Sequence, residues 1–185
     1  PVGVLNESAP FVEAPFHKPF VSPKPDCASL QHIAEILLKA LRPAVIIGKG
    51  IRWSEPYQEL RTLIETYRIP FITSPMGRGL LPDDHPFCGN GARDFLQQHA
   101  DSILVLGARL NWTFRFGTQL ADHVKLMHVD IAKEELAVHR PNSIMIQAEI
   151  RDVLQGLLQA LSKQGKLTAA RQERAEWITQ LRGIE

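Results

Sequence analysis

An α/β fold built on an open parallel sheet is the class that the sequence predicts, and two features predict it. The first is a series of short apolar runs that each stop at glycine or a polar residue. Ala44 to Ile47 stop at Gly48-Lys49-Gly50, Phe71 to Thr73 at Ser74-Pro75-Met76-Gly77, and Ile103 to Leu106 at Gly107-Ala108-Arg109. Val124 to Val129 stop at Asp130-Ile131, and Ser143 to Ala148 at Glu149-Ile150. Such runs between turn-formers read as strands buried on both faces, the usual state of strands in a parallel sheet covered by helices. The second feature is their alternation with segments of helical periodicity, the pattern of βαβ units with right-handed crossovers. A Rossmann-like sheet of about five or six strands is expected.

Each element has its own local cause. Residues 1–25 carry Pro1, Pro10, Pro15, Pro19, Pro23 and Pro25, too many missing amide donors for a helix, and are expected to form an extended interdomain linker, with Val2 to Leu5 a candidate last strand of something upstream. Asp26 suits the cap of a helix with apolar positions Leu30, Ile33, Ala34, Leu37, Leu38 and Leu41, stopped by Arg42-Pro43. After strand one, Pro56 sits early in a second helix whose stripe is Leu60, Leu63, Ile64 and Tyr67. The stretch from Ser74 to Gly91, broken by prolines and glycines, reads as a long functional or contact-making loop.

Ala92 to Ala100 then predict a short helix, and Trp112 to Asp122 a helix or a turn of one after strand three. Ala132 to Ala137 predict another short helix after strand four, with a turn at His139-Arg140-Pro141-Asn142 before strand five. Val153, Leu154, Leu157, Leu158 and Leu161 mark one face of a helix from Ile150 to Leu161, punctuated by Gly165. A charged helix from Ala169 to Leu181 is expected to lead towards another domain. The organisation expected is therefore a linker at 1–25, a nucleotide-binding domain at 26–165 and a C-terminal helix at 166–185. A first residue other than methionine reads as a cut from a longer chain.

Composition narrows the partners. With 21 basic against 20 acidic residues the formal charge is +1, which supplies no field for nucleic acid or a membrane surface. No apolar run approaches the roughly 20 residues of a membrane helix, so a soluble chain is expected. Cys27 and Cys88 are far apart and lack metal-ligand spacing, which suits thiols in a reducing compartment.

Binding chemistry is expected at the carboxyl ends of the strands, which line the ligand crevice of an open α/β sheet. Lys49 lies between two glycines that allow close backbone approach, and its ammonium suits a phosphate; the alternative is a tight turn with an exposed lysine. Arg109 can clamp phosphate or lie against an adenine ring, or pair with a neighbouring helix. Asp130 can accept from ribose hydroxyls, cap the turn at Ala132, or do both. Gly48-Lys49-Gly50 is neither Gly-x-Gly-x-x-Gly nor a Walker motif, since Ile51, Arg52 and Trp53 follow. His85, in Asp83-Asp84-His85-Pro86, is read as turn chemistry rather than a metal ligand, and His123, His128 and His139 are scattered. Trp53, Trp112 and Trp177 suit packing or domain contacts as well as stacking. No catalytic set is visible.

Taken together and in order, Gly48-Lys49-Gly50, the run Pro75-Met76-Gly77-Arg78-Gly79-Leu80-Leu81-Pro82-Asp83-Asp84-His85-Pro86, Gly107-Ala108-Arg109-Leu110-Asn111-Trp112 and Val129-Asp130-Ile131 resemble the central domain of thiamine-diphosphate-dependent enzymes. The 2-hydroxyacyl-CoA lyase and oxalyl-CoA decarboxylase branch is most similar, over about residues 26–163, with the six residues from Gly107 to Trp112 the most specific part. The resemblance implies a three-domain enzyme whose catalytic glutamate and Gly-Asp-Gly motif, which holds magnesium and the cofactor diphosphate, lie in the other two domains; no catalytic residue and no metal ligand is expected in this chain.

For this chain the resemblance implies a site for ADP or the adenine end of CoA. Gly48, Lys49 and Gly50 would approach the nucleotide, Arg109 would lie along it, Asp130 with Ile131 beside it would take the ribose, and Ile150 would stand next to the adenine. Met76 to Gly79 would face the active-site side. Ile51-Arg52-Trp53 departs from the small residues and tyrosine that relatives often carry, and bulk there would reshape the pocket. The implied partners are acyl-CoA substrates, the N- and C-terminal domains and a homodimeric or homotetrameric assembly; the implied compartment is cytoplasmic or peroxisomal. The alternatives are an FAD-binding central domain like that of acetolactate synthases, and a ligand-free structural domain.

Overall fold

Five strands line up side by side in the order β2-β1-β3-β4-β5, all parallel: β1 (Pro43–Ile47), β2 (Phe71–Thr73), β3 (Ser102–Leu106), β4 (Lys125–Asp130) and β5 (Ile144–Gln147). The computed structural model describes residues 8, 10, 21–136, 138–141, 143–164 and 171–184. Most of the expected linker, including Val2 to Leu5, lies outside these residues, as do Ala137, Asn142, Gly165 and Ala169. Every residue of β1, β2 and β3 is buried, as expected of strands covered on both sides.

Helices α1 (Cys27–Lys39), α3 (Tyr57–Tyr67) and α5 (Ile150–Gln164) cover one face through one continuous apolar cluster. Asp26 caps α1 as expected, its Oδ1 accepting from the Ser29 N–H at 2.8 Å, and that bond holds its carboxyl below the usual range. The helix ends at Lys39, so Leu41 is outside it and half exposed. Leu60, Leu63, Ile64 and Tyr67 are all buried on α3, as their spacing predicts. A fully buried side chain of this kind contributes about 1.5–3 kcal/mol, so each such stripe is enough to fix its helix on the sheet.

The second face is built differently. Helix α4 (Arg93–His99) and the irregular segment after β3 cover it, with Leu96, Phe114 and Leu120 buried there. Helix α6 (Arg171–Arg182) closes it at the amino ends of the strands, where Trp177 and Leu181 join this cluster. The Trp177 indole N–H donates to the Pro43 carbonyl at 3.1 Å. The Arg174 side chain, wholly buried, donates to the carbonyls of Leu37, Ala40 and Tyr67 where α1 and α3 end. A guanidinium suits those carbonyl ends, which carry partial negative charge.

The helix or turn expected after β3 and the short helix expected after β4 are both 3-10 rather than α-helical. After β3, the chain makes a 3-10 stretch (Trp112–Gly117) kinked where Arg115 and Phe116 adopt left-handed conformations with φ of 47° and 54°. After β4 only a single 3-10 turn (Lys133–Glu135) forms, since Ala132 and Leu136 on either side are extended. An unexpected short helix, α2 (Ile51–Ser54), follows Gly50.

Candidate functional site

The strand order creates the site. The chain leaves β1 through α2 and α3 on one face, whereas it leaves β3 on the other, so the two connections diverge and a crevice opens above the paired carboxyl ends of β1 and β3. Its floor is glycine. Gly48 N–H donates to Leu106 O and Gly50 N–H to Gly107 O, each at 2.9 Å, so the two strand-end turns are hydrogen-bonded to each other. A Cβ on Gly48 would lie 2.1 Å from Gly107 O, and one on Gly107 would lie 2.8 Å from the Gly50 Cα. Gly107 also has φ of +57°, a conformation only glycine adopts without strain.

Above this floor lies a cleft of about 570 Å³ lined from four strand ends. The β1 turn contributes Lys49, Gly50 and Trp53, and the end of β2 contributes Ser74, Pro75 and Met76. The segment after β3 contributes Arg109, Trp112 and Phe114, and the end of β4 contributes Asp130, Ile131 and Glu135. Lys49, Gly50, Arg109, Asp130 and Ile131 are thus brought together, as the strand-end reasoning requires. Gly48 and Ile150 do not line the cleft. Gly48 is packed beneath Gly107 and Ala108, and Ile150 is buried with its Cδ1 2.8 Å from where a Gly107 Cβ would stand.

The charges are arranged unequally. Lys49 is exposed and makes no ion pair among the described residues. Arg109 is paired through Nε with Glu135 at 2.9 Å, with 68% of its side chain exposed, so the pair is screened and readily exchanged for a ligand anion. Asp130 Oδ1 accepts from the Ala132 N–H at 3.0 Å, which fixes the carboxylate and leaves its other oxygen for a donor. The capping and ligand-facing roles weighed for this residue are therefore compatible.

Other side chains hold the walls. Asn111 Oδ1 accepts from the Thr113 N–H at 3.0 Å, an Asx-turn that starts the wall carrying Trp112 and Phe114. Arg93 lies 5.2 Å from the Phe114 ring centre and donates to the Thr73 carbonyl; burial pulls its guanidinium down. His128, buried in β4, bonds through Nε2 to Ala108 O at 3.0 Å and so ties the loop of Arg109 to the sheet. Sequence reasoning missed Arg93 and Phe114 and left His128 unassigned; the Asn-Trp-Thr start of the Asx-turn was the one local signal available.

The remaining flagged residues separate by geometry. His85 packs edge-on against Phe71 and Phe87 and accepts at Nδ1 from the Phe87 N–H, which is turn chemistry. Among the described residues no three His, Cys, Asp or Glu side chains converge as metal ligands would. Cys88 is buried and Cys27 exposed. No helix of the described residues is long and apolar enough to cross a membrane.

Comparison with known proteins agrees with this architecture. Residues 30–157 match the family model described as thiamine pyrophosphate enzyme, central domain. The chain is 38% identical over 132 residues to 2-hydroxyacyl-CoA lyase 1 of Homo sapiens, covering 70% of this chain and 23% of that protein. It is 35% identical over 136 residues to oxalyl-CoA decarboxylase of Escherichia coli (strain K12), covering 73% of this chain and 24% of that one. The chain thus spans about a quarter of the length of these relatives. The solved structure of benzoylformate decarboxylase from Polynucleobacter necessarius is similar with a TM-score of 0.65 over 84% of this chain and 30% of that one, at 20% identity, a likeness of fold.

Proposed function

The chain belongs to the central-domain family of thiamine pyrophosphate enzymes, and on that premise we propose that its strand-end cleft binds an adenine nucleotide, ADP or the adenine end of CoA. The whole protein is proposed to be a thiamine-diphosphate-dependent lyase or decarboxylase acting on a 2-hydroxyacyl-CoA or oxalyl-CoA, as its similarity to the named lyases and decarboxylases suggests; a homodimeric or homotetrameric assembly is proposed with it. The observation that carries the nucleotide reading is the convergence of Lys49, Arg109 and Asp130 over a glycine floor.

Each residue has a defined task in this reading. The Lys49 ammonium, which makes no ion pair among the described residues, pairs with the ligand's phosphates. Arg109 exchanges Glu135 for the same anion, which its planar fork can grip through two donors. The free oxygen of Asp130 accepts from the ribose hydroxyls. Thiamine diphosphate, when bound to the whole enzyme, supplies the nucleophilic carbon and the electron sink for the carbon-carbon cleavage. In this reading the task of this chain's own residues is to bind and orient the nucleotide.

Calorimetric titration with ADP, CoA and FAD tests the reading. ADP or CoA is expected to bind, and Arg109→Ala and Asp130→Ala are each expected to weaken it about tenfold or more, as the loss of a charge-assisted bond does. Absence of binding, or binding indifferent to both variants, sinks the proposal. Binding of FAD alone replaces the ligand with a flavin.

A further inference from the structure

The chain has three tryptophans, and the fold treats them in two ways. Trp177 is 1% exposed and hydrogen-bonded, whereas Trp53 is 80% and Trp112 74% exposed. Leaving so large an apolar ring in water forfeits burial that the fold has realised for Trp177. Both exposed indoles belong to the same cleft, one from each side of the crevice: Trp53 follows β1, whose connection leaves on the first face, and Trp112 follows β3, whose connection leaves on the second. Neither ring packs against another aromatic ring of the described residues.

The backbone beneath them is held in place. Trp53 N–H donates to Gly50 O at 3.2 Å, and the neighbouring Ser54 hydroxyl bonds to Glu149 at the start of α5. On the other side, Phe114 and Phe116 N–H groups both donate to Asn111 O, at 3.0 and 2.9 Å, closing the turn that contains Trp112. The two rings are therefore presented by backbone that is already ordered before any ligand arrives, which lowers the entropy cost of using them. Lys49 and Arg109 line the same cleft.

Cations alone would serve any small anion; exposed indoles beside them serve an anion that carries a flat ring. We infer that Trp53 and Trp112 are the platforms against which the ring of the bound nucleotide stacks, and that they make the cleft select ring-bearing phosphates over ringless ones. This rests on the nucleotide reading above and adds to it the residues that set specificity.

The test compares ADP with inorganic pyrophosphate on the purified chain and on Trp53→Leu, Trp112→Leu and the double variant, by calorimetry and indole fluorescence. Stacking on an aromatic side chain sets the expected scale, a loss of about 5- to 150-fold in ADP affinity for each single variant. Pyrophosphate affinity is expected to stay unchanged, and Trp53→Phe and Trp112→Phe to recover most of the ADP affinity. In the double variant only Trp177 remains, and its emission is expected not to respond to ADP.

Equal affinity for ADP and pyrophosphate in the parent chain, or ADP binding unchanged within twofold in both leucine variants, overturns the inference. If Arg109→Ala still weakens ADP in that second case, the nucleotide reading stands while the stacking role falls. No binding of any nucleotide removes both. Since both indoles are exposed, the thermal midpoint of each variant is expected to match the parent, which separates lost stacking from lost folding.

Discussion

Gly107 combines two constraints, a φ of +57° and a Cα that faces Gly50 so closely that an added methyl would lie 2.8 Å from both the Gly50 Cα and the Ile150 Cδ1. Left-handed backbone costs a residue with a side chain about 1–2 kcal/mol, and overpacking adds about 1–3 kcal/mol. Gly107→Ala is therefore expected to destabilise the fold by roughly 2–5 kcal/mol in urea denaturation, by the sum of those terms. His128 makes a second residue-level prediction. Burial lowers its pKa, against weaker opposite pulls from Asp130 and the Ala108 carbonyl, so the folded value lies below the ordinary 6.5. As pH falls below about 6.5 the unfolded chain takes up the proton first, so this stability is complete above that value and is lost as pH falls through the folded pKa. His128→Gln, which keeps a donor for Ala108 O, is expected to show a smaller stability difference between pH 8 and pH 5 than the parent. An equal difference would mean that the imidazole is not the group titrating.

At the scale of elements, α6 shows where sequence reasoning stops. Its run of arginines and glutamates reads as a charged helix leading towards another domain, because periodicity records which side chains are apolar and not that a guanidinium is aimed at three carbonyls. Arg174 is fully buried, and burial draws its pKa down to about 10, still far enough above neutrality for it to remain charged. Arg174→Ala would leave the carbonyls of Leu37, Ala40 and Tyr67 short of a donor, at about 1–3 kcal/mol for each buried group left unsatisfied. The expected outcome is a clear fall in the denaturation midpoint, with α6 losing amide-exchange protection before α1 and α3 do; unchanged protection in α6 would show that Trp177 and Leu181 alone hold it. The kinked turn after β3 was illegible for a different reason. Left-handed Arg115 and Phe116 are set by the Asn111 turn and by packing of Phe114, and neither residue type announces such a conformation. Strands β1 to β5 and helices α1, α3 and α5, by contrast, were legible because each is fixed by its own spacing of apolar residues.

For the whole molecule, the sheet order 2-1-3-4-5 explains why several residues that line the candidate cleft are legible in the sequence. Once the strands are parallel, their carboxyl ends share one edge, and any polar residue just past a strand is a candidate for the crevice. Lys49, Arg109, Asp130 and Ile131 met that condition. Ile150 did not: it begins α5, and its side chain turns into the core behind Gly107. Because the cleft takes residues from four strand ends, a ligand that fills it links the two faces of the sheet and should stabilise the molecule as a unit. At a hundredfold excess over its Kd, a ligand specific for the folded state adds about 2.7 kcal/mol, which for a chain of this size is a rise of roughly 5–10 °C in Tm. ADP is expected to give such a rise in a thermal scan, as one cooperative transition in which the α5 and α4 sides shift together. Asp130→Ala is expected to reduce the shift at equal ADP concentration. A rise confined to one face of the sheet, seen as two separated transitions, would mean that the ligand sits on one wall and does not span the crevice between β1 and β3.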